Sequence, residues 1–116
     1  MYNGATMTQW ALQEFKADLF RTLANPVRVR ILEEIRESGL LSVTEIQQRV
    51  GIEPSNASQH LAVLRARGVV RAAREGNTIR YSVADPEVFA LLDTARRVFQ
   101  KRLATQQEAL DAEAGS

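Results

Sequence analysis

Four short polar side chains at helical spacing are the residues of this sequence best suited to recognising another molecule. Ser55, Asn56, Ser58 and Gln59 lie in the run PSNASQHL, which contains no Glu or Lys. Amides and hydroxyls form hydrogen bonds with the edges of bases, and Asn or Gln can bind adenine through two of them. A solvated helix more often carries Glu and Lys at such positions. The run therefore indicates a surface that approaches a partner closely.

A cluster of arginines follows this run. Five arginines and a single acid, Glu75, lie between residues 65 and 80, a local net charge of +4 in a chain whose net charge is only +1. Guanidinium groups bind phosphate oxygens, so the cluster favours a polyanionic partner over a merely solvated rim. Arg28 and Arg30 lie earlier, on a predicted helix, and are expected to be structural or to clamp the backbone rather than to read sequence. The predicted contacts are Arg65, Arg74, Arg80 and, at the tip of a hairpin, Asn77.

His60 is the only histidine of the chain and has two interpretations. Its imidazole could hydrogen-bond a base or a phosphate, which would make binding depend on pH near neutrality. Alternatively, the ring packs against the interior of the domain beside Leu61, with one nitrogen bonded to a backbone group. Catalysis is not expected, because no set of nucleophile, base and orienting group accompanies this residue.

Capping signals and periodicity predict the helices that position these groups. Ser42 followed by Glu45 is a capping box, and Gly51 suits the left-handed conformation that ends a helix. A short helix is therefore predicted over residues 43–50. The other predicted helices begin at Thr8, at the Asn25-Pro26 pair, at Pro54 and at the Asp85-Pro86 pair.

The helix that begins at Pro54 has one buried stripe and one polar face. Ala57, Leu61 and Leu64 recur at the spacing of a core-facing stripe, which turns the four short polar side chains outward. After Gly68, the runs VVRAAR and TIRYSV flank Glu-Gly-Asn, which predicts a two-stranded hairpin with a tight turn. The predicted fold is mainly α with a small β-hairpin, that is, a winged helix-turn-helix.

The first and last helices carry more apolar surface than one small domain can bury. Leu12, Phe15 and Phe20 form such a stripe on the first helix, and the last helix has one of about six turns from Val88 to Leu110. This surplus predicts a partner, and a second copy of the chain is the simplest one. Trp10 lies near the first stripe and is expected to pack there rather than to line a ligand cage.

Composition excludes several classes of function. The chain has 116 residues and no cysteine, which leaves room for one domain and rules out disulfides and thiolate metal sites. It has neither an apolar run that could cross a membrane nor a signal peptide, so a cytoplasmic protein is expected. No paired carboxylates in a cleft or activated nucleophile are found, so neither an enzyme nor a cofactor is predicted. One domain is predicted over residues 8–110, with disordered tails over 1–7 and 111–116.

Three segments together resemble one known family. They are FRTLANPVRVRIL, SVTEIQQRVGIEPSNASQHLAVLRARGVV and REGNTIRYSV, and the likeness runs over roughly residues 12–100. In order and spacing they are similar to the ArsR/SmtB family of bacterial winged helix-turn-helix repressors. The resemblance implies a homodimer formed through the first and last helices and bound to a palindromic operator in double-stranded DNA. It also implies repression of transcription until an effector releases the operator.

The sequence departs from this family at the metal sites. Metal-sensing members carry a Cys-x-Cys motif on the helix before the recognition helix, where Ser42 and Thr44 stand here. Other members use Asp and His on the last helix, and residues 86–110 contain no His. No metal site is therefore predicted, and a site made of carboxylates around Asp85 is disfavoured because such acids also suit a helix start. The remaining input is an unrecognised small molecule or none.

Taken together, the residues predict a sequence-specific regulator that binds DNA. The competing class is a winged-helix module that binds another protein, with the long last helix as its interface. Positive charge around the hairpin favours DNA, because phosphates attract it at every sequence. The residues predicted to bind DNA are Ser55, Asn56, Ser58, Gln59, His60, Arg65, Arg74, Asn77 and Arg80.

Overall fold

The computed structural model describes the backbone of residues 4–115 and the side chains of residues 10–115. Five helices and three short strands lie within this range. The helices are α1 (Gly4–Leu23), α2 (Pro26–Ser38), α3 (Val43–Val50), α4 (Pro54–Ala66) and α5 (Glu87–Ala114), and the strands are β1 (Leu41–Ser42), β2 (Val70–Glu75) and β3 (Thr78–Val83). The chain divides into two compact units, Met1–Asp85 and Pro86–Ser116.

The core of the first unit is built from one face of each of three helices. Ile31, Leu32 and Ile35 of α2 are almost completely buried, as is Ile46 of α3. The buried side chains of α4 are Ala57, Leu61 and Leu64. This burial confirms the α4 stripe predicted from the sequence. Each large side chain contributes about 1.5–3 kcal/mol by leaving water, so the stripe holds α4 with its opposite face outward.

The start of α2 is fixed by a side-chain cap. Asn25 Oδ1 accepts hydrogen bonds from the N–H groups of Val27 (2.9 Å) and Arg28 (3.1 Å), and Pro26 occupies the first helical position. The cap satisfies two of the amides that a helix start leaves without a partner. The predicted Asn-Pro helix start is confirmed.

Both ends of α3 are also fixed by local chemistry. Ser42 Oγ accepts a hydrogen bond from the Glu45 N–H at 3.2 Å, and Glu45 Oε1 accepts one from the Ser42 N–H at 2.9 Å, which completes the predicted capping box. At the other end, Gly51 adopts φ 78° and donates to the Gln47 carbonyl at 2.9 Å. The chain can therefore turn within a few residues and begin α4 at Pro54.

The sheet has one strand more than the sequence predicts. Its order is β1-β3-β2, with antiparallel pairing throughout, and β2 and β3 form the expected hairpin. The additional strand, β1, has two residues: Leu41 pairs with Tyr81, and Ser42 pairs with Arg80. At the hairpin turn Gly76 has φ 64° whereas Asn77 has no positive φ, which fits a type II′ turn.

The second unit consists of α5, which extends over 28 residues. The helix begins at Glu87, with Pro86 at the capping position, one residue later than the Asp85-Pro86 pair predicts. Along its length the apolar residues that remain exposed are Val98, Phe99, Leu103 and Leu110, with 44–60% of their surface accessible.

The helical ends of the chain differ from the predicted tails. Helix α1 begins at Gly4 rather than Thr8, and α5 continues to Ala114, so residues 4–7 and 111–114 are helical. Residues 1–3 and 116 of the predicted tails lie outside the described residues. Extending an existing helix is easy because each added residue gains a hydrogen bond, and near the end of α5 the Gln107 side chain donates to Asp111. The single domain over residues 8–110 spans both compact units and stays a prediction.

Candidate nucleic-acid interface

The outward face of α4 carries the four short polar side chains identified in the sequence. Ser55, Asn56, Ser58 and Gln59 are all exposed, opposite the buried stripe of the same helix. Within the described part of the chain, no hydrogen bond involves any of these four side chains. Their donors and acceptors are therefore available to a molecule that approaches α4. Their contact with DNA stays a prediction.

An open trough runs along the β2–β3 hairpin, here named the wing, beside α4 and the start of α3. One part, a cleft of about 450 Å³, is lined by residues that include Val43, Ser58, Arg65 and Tyr81. A second cleft of about 420 Å³ shares Val43 and Tyr81 and extends to Asn77 at the wing tip. Residues from the start of α4, from its end and from the wing tip, predicted separately from the sequence, thus line one continuous surface.

Pairing divides the five arginines of residues 65–80 into two groups. Arg67 binds Asp18 of α1 at 2.8 Å, and Arg80 binds two carboxylates, Glu45 at 2.8 Å and Glu75 at 3.2 Å. The other three have no ion pair with any residue of the described chain and are exposed. These three are Arg65, Arg71 and Arg74. A guanidinium that has no carboxylate partner is the better candidate for a phosphate, because binding does not require it to break an existing pair.

Arg74 and Arg80, the two arginines predicted near the wing turn, lie on opposite faces of the wing. Residues directly opposite each other in an antiparallel pair share a face, and the face alternates along each strand. Arg74 stands opposite Ile79 and lies on the Tyr81 face, which lines the trough. Arg80 stands opposite Ala73, on the other face. Arg80 is held by two acids on the face opposite Arg74, and its contact with DNA stays a prediction.

His60 is half-buried and faces another helix. Its Nδ1 lies 3.4 Å from the Arg28 NH1 of α2. Because arginine can only donate, Nδ1 must accept, which leaves the ring proton of the neutral form on Nε2. Burial, and next the positive charge of Arg28, lower the pKa of His60 below its usual value of 6.5. The inward packing agrees with the second interpretation of His60, although its partner is a side chain rather than a backbone group; contact with DNA stays a prediction.

Arg28 joins three helices and is structural, as predicted. Its Nε donates to the Thr22 carbonyl at 2.6 Å and its NH2 to the Arg21 carbonyl at 3.3 Å, both at the end of α1, while NH1 faces His60 of α4. The carbonyls at a helix end lack intrahelical partners, so Arg28 satisfies groups that would otherwise need water. Arg30 binds Glu34 at 2.9 Å on the same helix.

Arg71 is the unpaired arginine that sequence reasoning did not select, and it lies on the same wing face as Arg80, away from the trough. It is exposed on β2, opposite Ser82, and has no ion-pair partner among the described residues. A count of arginines could not distinguish it from Arg67, because the distinction depends on Asp18, which lies 49 residues away from Arg67 in sequence. Strand alternation from the Gly76 turn could have placed Arg71 and Arg74 on different faces.

Apolar side chains remain exposed on both compact units. On α1 these are Trp10 (51% exposed), Leu12 (50%), Phe15 (65%) and Phe20 (57%). On α5 the exposed set centres on Phe99, with 60% of its surface accessible. The predicted surplus of apolar surface on the first and last helices is therefore present in each unit.

Neither a metal cluster nor a membrane span is found among the residues that the structure describes. No three His, Asp or Glu side chains of that set come close enough together to hold a metal ion. No helix in it is sufficiently long and apolar to cross a bilayer.

Comparison with known proteins finds similarity to helix-turn-helix regulators of transcription. A family model described as a helix-turn-helix domain matches residues 23–72, from the end of α1 to the middle of β2. The HTH-type transcriptional regulator Rv0081 of Mycobacterium tuberculosis, itself described as uncharacterized, is 44% identical over 100 residues, which cover 86% of this chain and 88% of that protein. Its crystal structure matches with a TM-score of 0.73 and 47% identity, over 82% of this chain and 95% of that chain.

Two further relatives have more specific descriptions. The transcriptional repressor PagR of Bacillus anthracis is 35% identical over 79 residues, 68% of this chain and 79% of that protein. The solution structure of a homodimeric winged helix-turn-helix DNA-binding domain, Mb0332 of Mycobacterium bovis, a possible ArsR-family regulator, matches with a TM-score of 0.77 and 29% identity, over 88% of this chain and 94% of that chain. These likenesses support a regulator that binds DNA and give no support to the competing protein-interaction module.

Proposed function

Because the chain belongs to the ArsR/SmtB-type family of winged helix-turn-helix transcriptional regulators, we propose that it works as a homodimer that binds an inverted-repeat operator and represses transcription. The observation that carries the proposal is the α4 face, where Asn56 and Gln59 are exposed and make no hydrogen bond within the described chain. Arg65, also unpaired, lines the trough beside this face, and Arg74, likewise unpaired, lies on the Tyr81 face of the wing.

In this proposal α4 enters the major groove. Asn56 and Gln59 then bind adenines through their amides, with Ser55 and Ser58 on neighbouring bases or phosphates. Phosphate contacts position the protein without specifying sequence, and Arg65 and Arg74 supply them. Asn77 at the wing tip reaches the adjacent minor groove or its backbone. The names of the relatives are those of regulators, which supports a non-catalytic protein.

Dimerisation follows from the apolar faces of α1 and α5. Exposed aromatic side chains such as Phe15 and Phe99 are costly in water, and a second copy would cover them in both molecules at once. The homodimeric description of Mb0332 supports the same assembly. Two α4 helices related by a two-fold axis would meet successive major grooves about 34 Å apart, so the operator should be an imperfect palindrome.

The input signal is an unrecognised small molecule or none. The departures at Ser42 and Thr44 and the absence of His from residues 86–110 argue against the metal sites of the family. Regulation of chromosomal DNA implies a cytoplasmic location.

The test begins with the genomic DNA that the protein selects. Fragments bound by the purified 116-residue protein would be sequenced, and the recovered motif tested by gel shift, by light scattering and in a promoter-reporter assay. We expect a palindromic motif, a dimer in solution and a reporter signal that falls when the protein is present. Six to ten phosphate contacts would lower the affinity by about 10³–10⁵ between 50 and 200 mM salt. A monomer at micromolar concentration, or binding that does not respond to salt, would contradict the proposal.

A further inference from the structure

We propose, on the basis of the DNA-binding function above, that Arg80 is a positioning residue: through Glu45 it holds the wing in the direction that operator binding requires, without contacting DNA itself. The contact between these two side chains is called the Glu45–Arg80 bridge below. It joins a strand of the wing to the first turn of the helix that precedes α4.

The bridge converges on a single oxygen atom. Arg80 NH1 donates to Glu45 Oε1 at 2.8 Å, and the same oxygen accepts the Ser42 N–H at 2.9 Å. The hydrogen bonds from Ser42 lower the pKa of the Glu45 carboxyl, and Arg80 lowers it further. The carboxylate is therefore charged at neutral pH and able to bind both donors at once.

Backbone pairing closes this contact into a ring. Ser42 stands directly opposite Arg80 in the β1–β3 pair, and Ser42 also caps α3 with Glu45 at the third helical position. Strand pairing, capping box and ion pair thus connect the same three residues. A shift of β3 relative to α3 would have to disturb all three interactions.

The charge of Arg80 is already satisfied within the protein. Its Nε lies 3.2 Å from Glu75 Oε2, so the guanidinium has an acid on each side, Glu45 toward the helices and Glu75 toward the wing tip. The side chain also lies on the wing face opposite Arg74 and the trough. A phosphate would have to replace an existing carboxylate partner to reach it.

The base of the wing packs against the helices, and the bridge anchors the wing nearer to its tip. A two-stranded hairpin is marginally stable by itself, and β1 adds only two residues to the sheet. Among the wing residues Val70 is fully buried at the base, whereas Arg74, Glu75 and Asn77 near the tip are exposed. The bridge binds β3 at a point between these ends.

Removing the charge of Glu45 distinguishes a phosphate contact by Arg80 from a positioning role, because the two roles predict opposite changes in the affinity for DNA. If Arg80 bound a phosphate, Glu45→Gln would release a competing partner and remove a negative charge, and the affinity for DNA would rise. If Arg80 positions the wing, Glu45→Gln lowers the operator affinity although the protein has become more positive. Glutamine also suits this position of a capping box, so the helix start is retained.

We expect Arg80→Gln and Glu45→Gln each to weaken operator binding about two- to five-fold, the range of an exposed ion pair. The double variant should lose no more operator affinity than the single variant that binds more weakly, because both substitutions remove the same contact. Glu75→Gln is the matched control: it removes an equal charge from the other side of Arg80 and should bind at least as tightly as the wild type. Arg80→Lys retains a cation for Glu45 and should recover most of the affinity.

Salt dependence distinguishes positioning from contact. Arg74→Gln serves as the reference, since the loss of one phosphate contact reduces the slope of log affinity against log salt by about one. Arg80→Gln should leave that slope unchanged. A slope reduced by about one in Arg80→Gln, or tighter operator binding by Glu45→Gln, would overturn the proposal.

A measurement without DNA separates failure of this inference from failure of the proposed function. Amide hydrogen exchange in β1 and β3 of the whole chain should be faster in Arg80→Gln and Glu45→Gln than in the wild type or Glu75→Gln. If the wild type binds no DNA, the proposed function is wrong, and unchanged exchange in the two variants would show that the bridge does not hold the wing. Either result overturns the role given to Arg80.

Discussion

Pairing, more than exposure, distinguishes the arginines beside α4. Arg65 and Arg67 are both exposed, but only Arg67 binds an acid, Asp18. An exposed ion pair contributes little to stability, yet it neutralises the charge that a phosphate would use. The side chains most suited to DNA are therefore those that the protein itself leaves without a partner.

Arg65→Ala should weaken binding to operator and random DNA alike and reduce the salt slope by about one, because it removes a phosphate contact beside α4. The matched control is Arg67→Ala, which removes the same side chain from an arginine already bound to Asp18. Fluorescence anisotropy at several salt concentrations would measure both. Equal slopes for the two variants would show that pairing does not select the phosphate contacts.

Gln59→Ala should relax sequence preference at one base position at a cost of about 1–3 kcal/mol on the operator, since an amide bound to adenine is lost. Random DNA should be bound as before. The control is Gln48→Ala, a substitution of an exposed glutamine of α3, which should change neither the sequence preference nor the affinity for random DNA. Competition binding with operators substituted at single positions would measure the effect; an equal loss on random DNA would contradict the assignment of Gln59.

His60 should make the stability of the fold depend on pH. Its pKa is lowered in the folded protein, first by burial and then by Arg28, so the folded state resists protonation. The contribution of neutral His60 to the free energy of unfolding is complete above the pKa of the unfolded chain, near 6.5. It is lost as the pH falls through the lower pKa of the folded protein. Urea unfolding between pH 7.5 and 5 should show the decline in the wild type and less of it in His60→Gln. An NMR titration of His60 that gave a pKa above 6.5 would contradict this expected pH dependence.

Helix α3 depends on its ends. It has eight residues, fewer than an isolated helix needs to be stable in water, and only Ile46 of it is buried. The capping box at Ser42 and the turn at Gly51 therefore contribute much of what defines it. Because α4 follows after a short turn, the ends of α3 also set where α4 begins.

Ser42→Ala should lower the free energy of unfolding by about 1 kcal/mol, within the range of 0.5–2 kcal/mol for the loss of a helix cap. The control is Ser38→Ala, at the exposed end of α2, which should change stability by less than about 0.5 kcal/mol. Chemical denaturation followed by circular dichroism would compare the two. Similar losses in both variants would mean that the cap is not what stabilises α3.

The elements were predictable where their signals are local. The Asn25 cap, the capping box and the Gly51 turn each depend on residues within a few positions, and all are present in the structure. Strand β1 was missed because Leu41 and Ser42 become a strand only by pairing with residues some 40 positions later. The outward face of α4 followed from its periodicity. The pairs of Arg67 with Asp18 and of Arg80 with Glu45 could not be predicted, since these acids are distant in sequence.

At the scale of the whole molecule, apolar surface remains to be covered. The first unit exposes Phe15 and Phe20 on α1, and the second exposes Phe99 and Leu103 on α5. Side chains of this size gain about 1.5–3 kcal/mol each when fully buried. In a symmetric dimer each of these side chains would be buried in both copies, so its stabilising contribution would occur twice. A single substitution should therefore be sufficient to disrupt the dimer.

Phe99→Glu should weaken the proposed dimer at least about tenfold, because it replaces a buried aromatic ring with a charge in both copies. Operator binding should weaken with it. Gln48→Glu introduces the same charge at an exposed position of the first unit and is the control. Light scattering at a series of concentrations would measure the dissociation. A Phe99→Glu protein that remains fully dimeric would exclude this face of α5 from the interface.

The two residues at the turn of the wing, Gly76 and Asn77, differ in how the backbone constrains them. Gly76 has a positive φ, although nothing would obstruct a side chain there, whereas Asn77 does not have a positive φ. Position 76 is therefore constrained by conformation alone, and position 77 can accept many residue types in the same hairpin. A saturation library at position 77 would vary the chemistry of the tip on a constant scaffold, which makes this residue the natural place to retune DNA preference without redesigning the protein.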